Sequence, residues 1–190
     1  QAFLYGRVYE KAEINAALAS DNPYEIVLQR DEIGHGTFLA SIAAGKEDTA
    51  NDFVGAAPES ELVVVKLKQA KPYLREYYFI PENTPCYQET DIMTALKYGV
   101  SYAEALRRPV CICLGIGTSY GDHAGNSLLE RYINRLSLLR NVAVVLPAGN
   151  EGNAAHHYRA FWSADEFETE KTAEIRVGEG NRGFLAGIWG

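Results

Sequence analysis

Three short, nearly continuous apolar runs separated by segments of helical period constrain this chain most: residues 62–67 (LVVVKL), 110–114 (VCICL) and 142–146 (VAVVL). Runs of five or six such residues are too short for buried helices and fit strands covered on both faces. Between the second and third runs, Leu128, Leu129, Tyr132, Ile133, Leu136 and Leu139 give an apolar face to a helix over residues 127–140, opened by the capping box Ser127-x-x-Glu130. Before the second run, Ile92, Leu96, Gly99, Val100, Ala103 and Leu106 line one side of a helix that opens at Asp91. Strand, helix, strand, helix, strand in that order predicts right-handed βαβ units, hence an α/β fold whose parallel β-sheet carries helices on both faces. Chemistry on such sheets gathers at the carboxyl ends of strands, here after Leu114 and after Leu146.

Upstream, Ala12, Ile14, Ala17 and Leu18 stand at loose helical spacing, and Ser20-Asp21-Asn22-Pro23 ends that segment. Another helix is expected from His35, with Phe38, Leu39, Ile42 and Ala43 on its apolar face and Gly45 as its stop. Residues 68–90 contain Pro72, Pro81 and Pro85 and read as an irregular excursion. The character changes after about residue 155. Residues 172–177 and 184–189 alternate like strands around a Gly-rich link, which predicts a β-hairpin foreign to the α/β sheet. The expected division is therefore 1–155 and 156–190.

Eighteen basic against 25 acidic residues leave a formal charge of −7 with no basic run, which argues against nucleic acid as a partner. No apolar run reaches membrane-spanning length, and no membrane partner is expected. Cys86, Cys111 and Cys113 are an odd, sparse set without a CxxC pair, so they are no disulfide framework and do not fix the compartment. Cys111 and Cys113 share one side of a strand and are expected in the core. His156-His157, His123 beside Asp122, and Cys111-x-Cys113 have no recognised metal-ligand spacing.

Gly34-His35-Gly36-Thr37 puts a histidine where a helix begins. The positive end of the helix dipole disfavours imidazolium and so helps keep a neutral base, ready to take a proton from a nucleophile. A histidine in a Gly-rich turn is, taken alone, more often structural. Pro147-Ala148-Gly149-Asn150 follows the third run directly, and a rigidly held Asn amide can donate to an oxygen that turns negative in a transition state. A lone Ala-Gly-Asn is more simply a turn with a left-handed residue.

The longer strings change that balance. Asp31-x-x-Gly34-His35-Gly36-Thr37, followed by apolar and small residues to Gly45, resembles the histidine block of the subtilisin family, and Val54-Gly55-Ala56-Ala57-Pro58 resembles the segment that leads to that family's next strand. Cys113-Leu114-Gly115 stands in the place of its Ser-Leu-Gly stretch, whose backbone pairs with an extended peptide substrate. The resemblance implies a partial subtilisin-like fold and a serine endopeptidase of Asp-His-Ser type. It makes His35 the catalytic base, Asn150 the oxyanion donor, and Leu114, Gly115, Ala148 and Gly149 substrate-binding residues, with Asp31 a non-catalytic acid. Partners would be peptide or protein substrates, and the setting extracellular or spore-associated; oligomeric state is not readable.

No Asp-Ser/Thr-Gly tripeptide precedes His35, and nothing after Asn150 matches the serine block Gly-Thr-Ser-x-Ala-x-Pro. Gly117-Thr118-Ser119 begins like it but continues Tyr120-Gly121, so Ser119 reads as a turn residue. The triad aspartate and serine are therefore expected outside these 190 residues, leaving this piece alone inactive. Residues 156–190 resemble the opening strands of the jelly-roll-like β-domain that some clostridial members insert before the serine block.

Three rival readings stand beside this one. Gly115-x-Gly117-x-x-x-Gly121 approaches a dinucleotide fingerprint, but its last gap is one residue too long and the expected acidic partner position falls near Arg135. A protease-derived protein that binds peptides without cutting them is the main alternative. Finally, subtilisins often bind calcium, and Glu47, Asp48, Asn51 and Asp52 form an oxygen-rich loop; a solvated acidic loop accounts for it better, and no cofactor is expected.

Overall fold

A computed structural model describes residues 3, 5–166 and 169–189. Its elements are α1 (Lys11–Leu18), α2 (Pro23–Ile26), α3 (His35–Ala44), α4 (Pro72–Tyr77), α5 (Glu89–Leu106), β1 (Val110–Cys113), α6 (Leu128–Ser137) and β2 (Val142–Val145), with a short 3-10 turn at Ala164–Glu166. The chain divides into two compact units, Gln1–Lys66 and Leu67–Gly190.

In the first unit, α1 packs on α2 and buries Ala17, while the Tyr9 hydroxyl accepts a hydrogen bond from the Leu28 amide at 3.2 Å. Pro23 opens α2 at the position where its missing N–H costs nothing. Helix α3 ends at Gly45, and its last carbonyls are met by backbone rather than by side chains. The amides of Ala56 and Ala57 donate to the carbonyls of Ile42 and Ala43 at 2.9 and 2.8 Å, and Gly55 donates to Gly45 at 2.9 Å. A Cβ on Gly55 would lie 2.4 Å from the Gly45 nitrogen, so this approach admits only glycine. The Val-Gly-Ala-Ala-Pro segment is thus the C-terminal cap of the histidine helix.

In the second unit, β1 and β2 pair in parallel with Val110 opposite Val142 and Cys113 opposite Val145. The connection between them runs through α6, as a parallel pair requires. Helix α5 presents Ile92, Leu96 and Val100 at successive turns, α6 presents Ile133 and Leu136, and these five form the buried core. Ile112, Leu114, Val142 and Val144 pack against it from the strands, with Leu67, Ile116, Leu129 and Tyr132. The Ser127–Glu130 capping box forms, Ser127 Oγ accepting from the Glu130 amide at 3.3 Å and Glu130 Oε2 from the Ser127 amide at 2.9 Å. The α/β class with a parallel sheet holds, and within this unit α5 and α6 lie on one strand face.

Several expectations change. Residues 62–67 form no strand: among the described residues the sheet has two strands only, and Leu62, Val63, Val64 and Val65 are exposed. An apolar run becomes a strand only when a neighbour supplies its ladder, and none does so here. Cys111 and Cys113 do share a side, but it is the side away from the helices, and both are exposed. Leu128 is 73% exposed because it stands about 100° from the face set by Leu129, Ile133 and Leu136, and α6 stops at Ser137 rather than at residue 140. No hairpin forms over residues 172–189; a turn at residues 179–180 is present without a ladder on either side.

The excursion over residues 68–90 has more order than its prolines suggest. Pro72 starts α4, and Arg75 on that helix gathers the loop around its guanidinium. Arg75 donates to the carbonyls of Pro81, Glu82 and Thr84 at 2.8, 2.5 and 2.7 Å and to Cys86 Sγ at 3.0 Å.

Candidate active site

His35 is the first residue of α3 and is exposed. Gly34 before it has φ 85°, a left-handed conformation that L side chains resist, while a Cβ there would meet nothing within 4 Å. Backbone geometry rather than crowding therefore demands this glycine. A glycine cap has no side chain to hold the first-turn amides, and Asp31 does so instead. Asp31 Oδ1 accepts from the amides of Gly34 and Ile33 at 2.8 and 2.9 Å, and Oδ2 accepts from the Thr37 amide and hydroxyl at 3.0 and 2.8 Å. The Gly34 amide first, then the Thr37 and Ile33 donors, hold the Asp31 carboxyl far below the usual carboxylate range. Asp31 is the anchor of the turn that presents His35. A search for caps at the N-cap position misses it, because that position is Gly34.

In the second unit the carboxyl ends of β1 and β2 lie side by side. Leu114 continues the ladder by one bond, its amide donating to the Val145 carbonyl at 3.0 Å, and its side chain packs on the core. Leu114 and Gly115 are half-buried, whereas Ala148, Gly149 and Asn150 are exposed on the loop after β2. Gly149 has φ 81°, which turns the chain at Asn150. Leu114, Gly115, Ala148, Gly149 and Asn150 thus share one strand edge of one unit, and His35 belongs to the other unit.

The two strand-end loops are tied together by groups that no local pattern announces. Glu151 Oε2 accepts from Ser119 Oγ at 3.1 Å and stands 3.2 Å from His156 Nδ1. His123 Nε2 lies 3.0 Å from the Ser119 carbonyl, and its ring stacks on that of His157 with centroids 4.2 Å apart. Ser119 and Glu151 are 32 residues apart, so only the pairing of β1 with β2 brings them together.

The acidic loop after α3 turns its Asp48 carboxylate back on itself. Asp48 accepts from Asn51 Nδ2 at 2.8 Å and the Ala50 amide at 3.1 Å, and the Asn51 contact lowers its carboxyl below the usual range. Among the described residues no group of three or more His, Cys, Asp or Glu side chains is arranged to hold a metal ion. Among them, too, no helix is long and apolar enough to cross a membrane.

The model of the subtilase family matches residues 3–173. The chain belongs to the subtilase family. Thermitase from Thermoactinomyces vulgaris is 29% identical to this subtilase over 130 residues, 68% of this chain and 38% of that protein. The solved structure of the CspB protease of Clostridium perfringens matches it with a TM-score of 0.68 at 35% identity, over 80% of this chain and 30% of that one. The arrangement of α5, α6, β1 and β2 is accordingly part of a subtilisin-like α/β fold. The subtilase chain spans under two-fifths of the length of either relative.

Proposed function

We propose that this subtilase chain supplies the base and the oxyanion donor of a serine endopeptidase that cuts peptide bonds by Asp-His-Ser acyl transfer. The carrying observation is the shared strand edge: the stretch at Leu114 and Gly115 and the Ala148-Gly149-Asn150 turn end adjacent parallel strands in a chain of this family. His35 would take the proton of the attacking serine and return it to the leaving amine. It stands as the first residue of α3, presented by the turn that Asp31 holds. Asn150 would donate to the tetrahedral oxyanion, Leu114 and Gly115 would pair with the substrate backbone, and Ala148 and Gly149 would line the pocket before the scissile bond.

The nucleophilic serine and the triad aspartate belong, in this reading, to segments beyond these 190 residues, and the isolated chain does not hydrolyse peptides. Residues 156–190 would open an inserted β-rich domain whose strands gain their partners from that further sequence; their alternating pattern supports this.

The test is peptide hydrolysis by the full-length protein. His35→Ala should abolish turnover. Asn150→Ala should lower kcat by roughly 10²–10³-fold, a magnitude established for the equivalent donor in a subtilisin and carried over from that case. Normal cleavage by the His35 variant would remove the assigned base, and tight peptide binding with no cleavage by the unaltered protein would favour a non-catalytic peptide-binding role.

A further inference from the structure

We propose that Glu151 is a positioning residue, a carboxylate latch that fixes the loop carrying Asn150 against the loop that follows β1. This rests on the proposed role of Asn150. A single oxygen, Oε2, faces both Ser119 Oγ at 3.1 Å and His156 Nδ1 at 3.2 Å. Ser119 lies in the segment that continues from Leu114 and Gly115, and His156 lies in the segment that leaves Asn150. The latch therefore spans the two stretches assigned to substrate pairing and to the oxyanion. Turn contacts hold each loop from within: Asp122 accepts from the Ala124 amide at 3.1 Å and from Asn126 Nδ2, and the Ala154 amide donates to the Glu151 carbonyl at 2.9 Å. The Ser119–Glu151 bond and the stacked rings of His123 and His157 reach across between the loops.

Glu151 and His156 have side chains 58% and 56% exposed, so the pair adds little to global stability. Its effect is on geometry. An oxyanion donor works only when its amide stands at hydrogen-bond distance from the developing charge, and small displacements of such a group cost large factors in rate. A carboxylate that directly follows the donor in sequence and is tied to the neighbouring loop limits how far that donor can drift. Loss of the latch should therefore act on kcat, where the oxyanion is stabilised, and leave ground-state binding alone.

In the full-length protein, Glu151→Ala should lower kcat by about tenfold with KM changed less than about twofold. Glu151→Gln, which keeps an acceptor for the Ser119 hydroxyl, should recover most of the loss. Ser119→Ala should lower kcat by a smaller factor, and the Ser119→Ala/Glu151→Ala pair should fall no further than Glu151→Ala alone, since both changes break one contact. Hydrogen exchange of the amides over residues 115–126 gives a readout that needs no turnover, and it should quicken in Glu151→Ala. Effects that multiply in the double variant, a change confined to KM, or unaltered exchange would each overturn the latch. If the unaltered full-length protein binds peptides without cutting them while exchange still quickens in Glu151→Ala, the peptidase assignment fails and the latch between the loops survives.

Discussion

Asp31 shows how one carboxylate can build the turn that presents a histidine, His35. Four donors from Ile33, Gly34 and Thr37 converge on it, at a helix start whose N-cap residue, Gly34, has no side chain of its own. Its folded-state pKa is depressed, so its stabilising contribution is fully present above the unfolded carboxylate value of about 3.9 and is lost as pH falls through the folded value. Protection factors of the Ile33, Gly34 and Thr37 amides should therefore hold at neutral pH and decline only in strong acid. In Asp31→Ala they should be low at every pH. Amide exchange followed by NMR checks this, and equal protection in the variant would show that the turn is held by something else. Asp31 could be read from sequence as a non-catalytic acid, but its capping role could not, because the acceptor and the Thr37 amide are six residues apart.

Elements repeat the lesson with apolar side chains. Periodicity placed α5 and α6 well, because Ile92, Leu96 and Val100 mark one stripe and Ile133 and Leu136 another, and each stripe had to be buried. Leu96 is the most buried of these at 3% exposure, and α5, α6 and the strands all pack around it. Leu96→Ala should destabilise the second unit by about 2–4 kcal/mol, since the surrounding helices and sheet can close only part of the cavity. Denaturant unfolding of the two proteins measures the difference, and a loss well under 1 kcal/mol would mean that the site collapses freely or is not core. Helix α4 went unread because its order comes from Arg75 and three carbonyls up to nine residues away, a contact with no periodic signature.

For the molecule as a whole, the parallel pair of strands is covered on one side by α5 and α6, and the other side carries Cys111 and Cys113 in the open. Cys86 is half-buried, with its sulfur against the Arg75 guanidinium. In the 190-residue chain under native conditions, an alkylating reagent should modify Cys111 and Cys113 quickly and Cys86 only slowly. Denaturant should make the three equal. Mass spectrometry of the labelled peptides reads this directly; slow modification of Cys111 and Cys113 would mean that the second strand face is covered.

By itself the sequence determined what depends on neighbours along the chain: the helical stripes, the capping box at Ser127, the turn at Gly34, and the histidine and asparagine blocks that mark a subtilase. Burial and local hydrogen bonding act over a few residues, so their traces are written in consecutive letters. Tertiary structure alone decided which apolar runs became strands, which face of β1 met the core, and which loop Glu151 would touch. Each of those outcomes required a partner distant in sequence. Residues 62–65 and 142–145 look alike as strings, yet only the second run found a strand to complete its hydrogen bonds.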